Sequence, residues 1–209
     1  MLVSAAVAAG WPVEAQFTAP GVAPVEGAGP VYELAVGVAE RITATETPTG
    51  LFAIVRILDP PAALLADAGF VVVADRLADP GNLGTILRSA EAAGVDAVVV
   101  TDGTVDWSNP KVVRASAGAV FHVPVVAASL ADARAAGLRL LGTSSHRGTP
   151  HTEADWTGRV AIVLGSEAAG LPDDAPVDEW VRIDHRGRAE SLNVAMAATV
   201  LCFEAARAR

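Results

Sequence analysis

The run Phe70-Val71-Val72-Val73-Ala74 limits the possible folds more than any other stretch of this chain. A strand with one wet face alternates polar and apolar residues, so an unbroken apolar run has to be covered on both faces. Ala97–Val100, Leu138–Leu141 and Val160–Leu164 repeat the pattern, and Trp180–Ile183 is a further short copy. Between the first two runs lies Asn82–Ala93, with Leu83, Ile86, Leu87 and Ala90 at helical spacing and Gly94 as the stop. The chain closes with a helix from Ser191 to about Arg207, apolar nearly all round and therefore expected to be buried. Buried strands separated by helices predict an α/β domain built on a parallel sheet.

Residues 1–59 read differently. A helix is expected from Leu2 to Ala9, then a Pro/Gly-rich segment from Pro20 to Pro30, then a second helix from Val31 to Arg41. Thr47-Pro48-Thr49-Gly50 is a turn signal, and the apolar strand Leu51–Ile57 follows it. Asp59-Pro60-Pro61 reads as a linker, which divides the chain into a small domain, 1–59, and a larger one, 60–209. With 52% hydrophobic and 19% charged residues, the chain can bury a core and is not of the disordered class. No apolar stretch of membrane-spanning length lacks a Gly, Pro or charged interruption. The apolar start has no basic leader and is read as a helix, not as a signal peptide. Cys202 is the single cysteine, which rules out an internal disulfide and suits a reducing cytoplasm.

Three segments stand where backbone has to turn or open a helix, two of them with glycine. Leu77–Ala90 follows a strand and opens a helix; Pro80-Gly81 supplies a turn, Asn82 a cap, and Arg88 lies further along the polar side. Leu164-Gly165-Ser166-Glu167-Ala168-Ala169-Gly170-Leu171 is a strand running into a loop bracketed by two glycines. It has neither the dinucleotide GxGxxG spacing, nor a phosphate loop's Gly-Lys-Ser/Thr, nor a nucleophile elbow. Glu190-Ser191-Leu192-Asn193-Val194-Ala195-Met196-Ala197 opens the last helix, with Ser191 as expected cap and Asn193 placed to hold a neighbouring loop. Each segment alone reads as an ordinary turn or cap.

In order and spacing, the three resemble the sequence motifs of the SpoU (TrmH-type) RNA ribose methyltransferases of the SPOUT class. The resemblance runs from about Phe70 to the C-terminus, through N-x-G-x-x-x-R at Asn82 to Arg88, LGSEAAGL from Leu164 and ESLNVAMA from Glu190. Asn109–Ala119 looks like a further helix of that family. Residues 1–59 resemble the small ribosomal-protein-like RNA-binding domain that precedes many such enzymes, with its opening strand and turn missing. The implied fold is an α/β, SPOUT-type domain with a trefoil knot at its C-terminal end, behind a small truncated α/β domain. True knots are rare exceptions to ordinary topology.

The resemblance implies transfer of a methyl group from S-adenosylmethionine to a ribose 2′-hydroxyl of RNA, rRNA ahead of tRNA. The same knotted enzyme acting on a non-RNA acceptor, and a non-catalytic RNA-binding protein, are the competing readings. The implied cofactor pocket takes Thr143, Ser144, Ser145, Leu164, Gly165, Ser166, Gly170, Ile183, Ser191, Leu192, Asn193 and Ala195. Glu167 and Asn193 would brace the loops, while Asn82 and Ser191 would position the ribose. Arg88 carries the family's central role. A guanidinium stays protonated, so Arg88 suits gripping a phosphate and stabilising the developing alkoxide better than taking a proton. The family also implies a homodimer in which the knotted domains complete the site.

RNA needs a basic grip, and a net charge of −9 argues against a basic footprint over the whole surface. A local patch remains available. Arg186 and Arg188 before the third motif, with Lys111 and Arg114, are the candidates for phosphate contact. Residues 1–59 offer only Arg41 and Arg56 against Glu14, Glu26, Glu33, Glu40, Glu46 and Asp59. His122, His146, His151 and His185 share no ligand spacing, so no metal site is expected. Ser144-Ser145-His146 lacks the surroundings of a hydrolase centre, and the four tryptophans form no base-stacking array.

Overall fold

A computed structural model describes residues 2–43 and 49–209. The chain divides into two compact units, 1–58 and 59–209. The smaller unit holds helix α1 (Leu2–Ala8), strands β1 (Val13–Thr18) and β2 (Val31–Glu33), the short helix α2 (Val38–Ile42) and strand β3 (Leu51–Val55). Its sheet has the order β2-β1-β3, with β2 parallel and β3 antiparallel to β1. Strand β1 carries no unbroken apolar run and escapes a reading by pattern. The helix expected over Val31–Arg41 is replaced by β2 and α2. Val31 and Tyr32 pair through their backbone with Gln16 and Phe17, and the Tyr32 ring stacks on Phe17 at 5.5 Å. β-branched and aromatic residues fit such a pleated edge better than a helix. The expected turn at Thr47-Pro48-Thr49-Gly50 lies partly outside the described residues. The Pro/Gly-rich segment is pinned by buried Gln16, whose amide donates to the Val25 carbonyl and accepts from its N–H, each at 2.8 Å.

The larger unit is a seven-stranded sheet in the order β6-β5-β4-β9-β7-β10-β8, with parallel neighbours throughout. The strands are β4 (Phe70–Ala74), β5 (Ala97–Val100), β6 (Val125–Ala127), β7 (Arg139–Ser144), β8 (Thr149–Pro150), β9 (Val160–Leu164) and β10 (Glu179–Arg182). All five residues of β4 and of β9 are buried, as their composition requires. Helices α3 (Pro80–Ala92), α4 (Pro110–Ala115) and α6 (Val194–Ala208) share one apolar layer through Leu83, Ile86, Leu87, Val112 and Leu201. Helix α5 (Leu130–Ala135) adds Ala133 to the opposite layer, beside Leu65, Val71, Val99 and Leu140. Each buried branched side chain contributes about 1.5–3 kcal/mol of transfer free energy. Helices α3 and α4 touch at Gly84, where a Cβ would overlap that of Ala115 and come within 2.7 Å of the Val112 carbonyl oxygen.

Three helix expectations change. Asp79, not Asn82, caps α3: its side chain accepts from the Asn82 N–H at 2.8 Å, and Pro80 occupies the first turn. A proline there gives up no helical bond, so Pro80-Gly81 opens the helix instead of preceding it. Asn193, not Ser191, caps α6, accepting from the N–H groups of Ala195 and Met196. Helix α6 is also not buried all round. Ala195, Ala198, Leu201, Cys202 and Ala205 face the core, while Met196, Val200 and Phe203 are 57%, 39% and 49% exposed. Among the described residues, no helix is long and apolar enough to cross a membrane.

The sheet order places the site. From β4 the chain steps outward to β5 and β6, then returns to lay β7 on the other side of β9. Loops leaving the carboxyl ends of neighbouring strands diverge at such a reversal and leave a crevice.

Candidate active site

A cavity of about 620 Å³ lies where the loops after β7, β9 and β10 meet the start of α6. Sites for small organic ligands commonly enclose about 300–1,000 Å³. Gly165 and Gly170 shape one wall. A Cβ at Gly165 would overlap the Gly170 carbonyl carbon and the Leu171 nitrogen, and Gly170 has a φ of 66°. The loop between them closes on itself through a 2.8 Å bond from the Gly170 N–H to the Ser166 carbonyl. On the facing wall the Thr143 hydroxyl donates to the Val163 carbonyl at 3.0 Å, which ties the end of β7 to β9.

A chain of hydrogen bonds joins the three motif segments. The first turn of α6 donates to Asn193 Oδ1. Asn193 Nδ2 donates to Asn82 Oδ1 at 3.0 Å, and Asn82 Nδ2 donates to Glu167 Oε1 at 3.0 Å. Glu167 also accepts from the Asp79 N–H at 3.0 Å and, through Oε2, from the Ala78 N–H at 3.1 Å. The polarity is forced from one end. Helix N–H groups demand an oxygen from Asn193, so its amide donates onward, and the last group has to be a pure acceptor. Burial pushes the Glu167 carboxyl upward, but the bonds from Asn82, Ala78 and Asp79 outweigh it and hold the group below its ordinary value.

Of the expected cofactor residues, Thr143, Ser144, Ser145, Leu164, Gly165, Ser166, Gly170, Ile183, Ser191, Leu192 and Asn193 line this cavity, with Asn82 and Glu167. Ala195 does not: its side chain is buried in the core and its N–H is taken by Asn193. Arg88 also lies outside it, exposed on α3. Pattern reading missed His146, Asp173, His185 and Glu190, which line it as well. Their only sequence signal was adjacency to the glycine-bearing loops. Among the described residues, no three or more His, Cys, Asp or Glu side chains gather as a metal ion would need.

The basic residues sort into two groups. Most arginines are engaged: Arg56 with Glu14, Arg76 with Asp75, Arg134 with Asp178, Arg139 with Glu179, and Arg182 with Asp184, for example. The side chains of Arg88, Lys111, Arg114, Arg186 and Arg188, together with that of Arg41, have no hydrogen-bond or ion-pair partner among the described residues. The first five are the cations singled out from the sequence for phosphate contact.

A parallel sheet reversing beside a glycine-walled cavity, with the three motifs bonded around it, marks the ligand site of an α/β enzyme-type domain, and the chain belongs to the SpoU rRNA Methylase family, whose profile matches residues 69–203. It is 38% identical over 179 residues to the 23S rRNA (guanosine(2553)-2′-O)-methyltransferase RlmP of Bacillus subtilis, a match covering 82% of this chain and 71% of that protein. The AdoMet-bound rRNA methyltransferase from Sinorhizobium meliloti superposes with a TM-score of 0.86 at 34% identity, covering 99% of this chain and 84% of the other. The SpoU methyltransferase AviRb from Streptomyces viridochromogenes, solved with AdoMet, gives a TM-score of 0.86 at 30% identity over 98% and 86% of the two chains.

Proposed function

We propose that this protein methylates a ribose 2′-hydroxyl of RNA, rRNA ahead of tRNA, with S-adenosylmethionine as methyl donor. The observation that carries the reading is the bonded chain Glu167–Asn82–Asn193, which gathers the motifs around one cavity of ligand size. The residues present fit the donor. Gly165, Gly170 and the small side chains Thr143, Ser144, Ser145 and Ser191 line the cavity, and the close packing of Gly165 on Gly170 holds the loop's main chain along one wall. When bound, the donor supplies an electrophilic methyl group on a sulfonium.

The chain's own residues do the rest. Main-chain groups about Gly165, Ile183 and Leu192 hold the adenosine. Asn82 and Ser191 orient the ribose, which makes the attack effectively intramolecular. Arg88 grips the phosphate and offsets the charge that develops on the ribose oxygen. Glu167 is a brace: three donors hold its carboxylate below the ordinary range, which makes it a poor proton acceptor. Lys111, Arg114, Arg186 and Arg188, unpartnered among the described residues, make the RNA grip despite the chain's acidity.

Further assignments follow from the resemblance. The C-terminal segment is threaded as a trefoil knot; the placement of β9 between β4 and β7, with α6 packed back on α3 and β9, supports this. The active form is a homodimer joined through α6, whose exposed Met196, Val200 and Phe203 form an apolar stripe at helical spacing. The smaller unit is assigned to RNA selection. The protein is assigned to the cytoplasm, where a free, buried Cys202 stays reduced.

Incubation with methyl-labelled donor and rRNA, followed by mapping of ribose methylation, tests the reading. Label in rRNA is the expected outcome. Donor binding without label in any RNA would move the acceptor to a small molecule or protein, and no donor binding at all would favour a non-catalytic RNA-binding role.

A further inference from the structure

The wall formed by Ser144, Ser145 and His146 is held from behind by a side chain outside the cavity. Arg147 places its guanidinium 3.6 Å from the centre of the Trp180 ring. Its Nη2 also reaches the Asp173 carboxylate at 3.1 Å and the Asp173 carbonyl at 3.2 Å. Asp173 lines the opposite lip, after the Gly165–Gly170 loop. The loop is pinned at two more points. Ser144 Oγ accepts from the N–H groups of His146 and Arg147 at 3.2 and 3.3 Å. Gly148, at φ +100°, lies so close that a Cβ would overlap the Trp180 carbonyl, and its own oxygen accepts from Arg182.

We propose that Arg147 is a positioning residue for the methyl donor, a clasp that joins the two lips of the cavity through Trp180 and Asp173. The proposal rests on the reading of this cavity as the donor site. The clasp does two separable things. It fixes the wall, which bears equally on donor and product. It also pairs with Asp173, the carboxylate of the lip, whose side chain is 96% exposed, and this bears on them unequally. S-adenosylmethionine carries a sulfonium charge that demethylated S-adenosylhomocysteine lacks. A carboxylate released into the cavity attracts the first more than the second. Removal of the clasp therefore weakens product binding more than donor binding, a signature that simple loosening of a loop does not give.

Calorimetry of the full chain with S-adenosylmethionine and with S-adenosylhomocysteine tests this in wild type, Arg147→Met, Arg147→Lys, Asp173→Asn and the double variant. Arg147→Met should weaken product binding about fivefold and donor binding about two- to threefold. Adding Asp173→Asn should remove the difference between the two ligands, and Arg147→Lys, which keeps a cation over the ring, should restore most of the affinity. Quenching of Trp180 fluorescence by acrylamide should rise in Arg147→Met without any ligand. If Arg147→Met does not fold, Arg147→Gln, which also removes the cation and keeps the Asp173 carboxylate, carries the same comparison. Wild-type binding of both ligands with unchanged affinities in the variants overturns the clasp alone; failure of wild type to bind either ligand overturns the donor site itself.

Discussion

Replacing Glu167 with Gln keeps shape and volume but removes an acceptor. Glu167 receives three donors: the Ala78 N–H on one oxygen, the Asp79 N–H and Asn82 Nδ2 on the other. A glutamine offers one oxygen and one NH₂. If its oxygen takes the place of Oε1, the NH₂ confronts the Ala78 N–H; if it turns over, the NH₂ confronts both Asp79 and Asn82. Either way at least one donor loses its partner. An unmet donor costs about 1–3 kcal/mol when dry, and the exposure of Glu167, Ala78 and Asp79 brings the figure to about 0.5–1 kcal/mol. For a unit of this size that lowers the melting temperature by roughly 1–4 °C. Loops 77–82 and 165–170 lose their mutual register, so kcat/KM should fall about ten- to hundredfold. The pH dependence adds a second check. The folded Glu167 carboxyl sits below its ordinary value of 4.5, so its contribution is complete above that pH and disappears as the pH falls through the lower, folded value. The carboxamide of the Glu167→Gln variant does not titrate, so the stability gap between the two proteins should narrow in acid. Thermal melts from neutral pH to pH 3, with amide exchange at Ala78 and Asp79, measure both. Equal melting temperatures at neutral pH, or a gap that stays constant into acid, would refute the reasoning.

Gly165→Ala forces a Cβ into the Gly170–Leu171 backbone; a loss of about 3 kcal/mol in urea unfolding, with donor binding abolished, is expected. Arg88→Ala should lower methyl transfer by about 10²–10³-fold while leaving calorimetric donor affinity nearly intact, and loss of both together would mean its role is misplaced. Phe203→Asp puts a charge in the exposed stripe of α6 and should shift sedimentation from dimer to monomer; an unchanged dimer would move the interface elsewhere. Cys202 is buried and its thiol is pushed up to about 12 by that burial, so a thiol reagent should react only as fast as the protein unfolds.

The parts of the fold that pattern reading found are those in which burial leaves no choice of residue. Strands β4, β5 and β9 are covered on both faces, so their sequences are apolar without a break. Strand β6 has only three residues, with exposed Ala127 at its end, and β2 is exposed throughout. Such edges are defined by backbone pairing, to which the identity of the side chain contributes little. Cap positions failed for a related reason. Asp79, Asn82, Ser191 and Asn193 are all good caps, and the choice depends on which carboxamide a distant segment has already engaged. The lining of the cavity was readable around Gly165 and Leu192 through the order and spacing of the motifs, since only the first of these two loops carries glycine. His146, Asp173 and Arg147 give no such signal, since their meeting depends on how β7 and β10 pair.

The one-way hydrogen bonds from α6 through Asn193 and Asn82 to Glu167 also restrict how this protein can change over generations. Asn82→Asp would set two carboxylates against each other, and Glu167→Gln would strand a donor. Single substitutions of these kinds along the relay therefore carry a penalty that a matched change at the partner position would relieve.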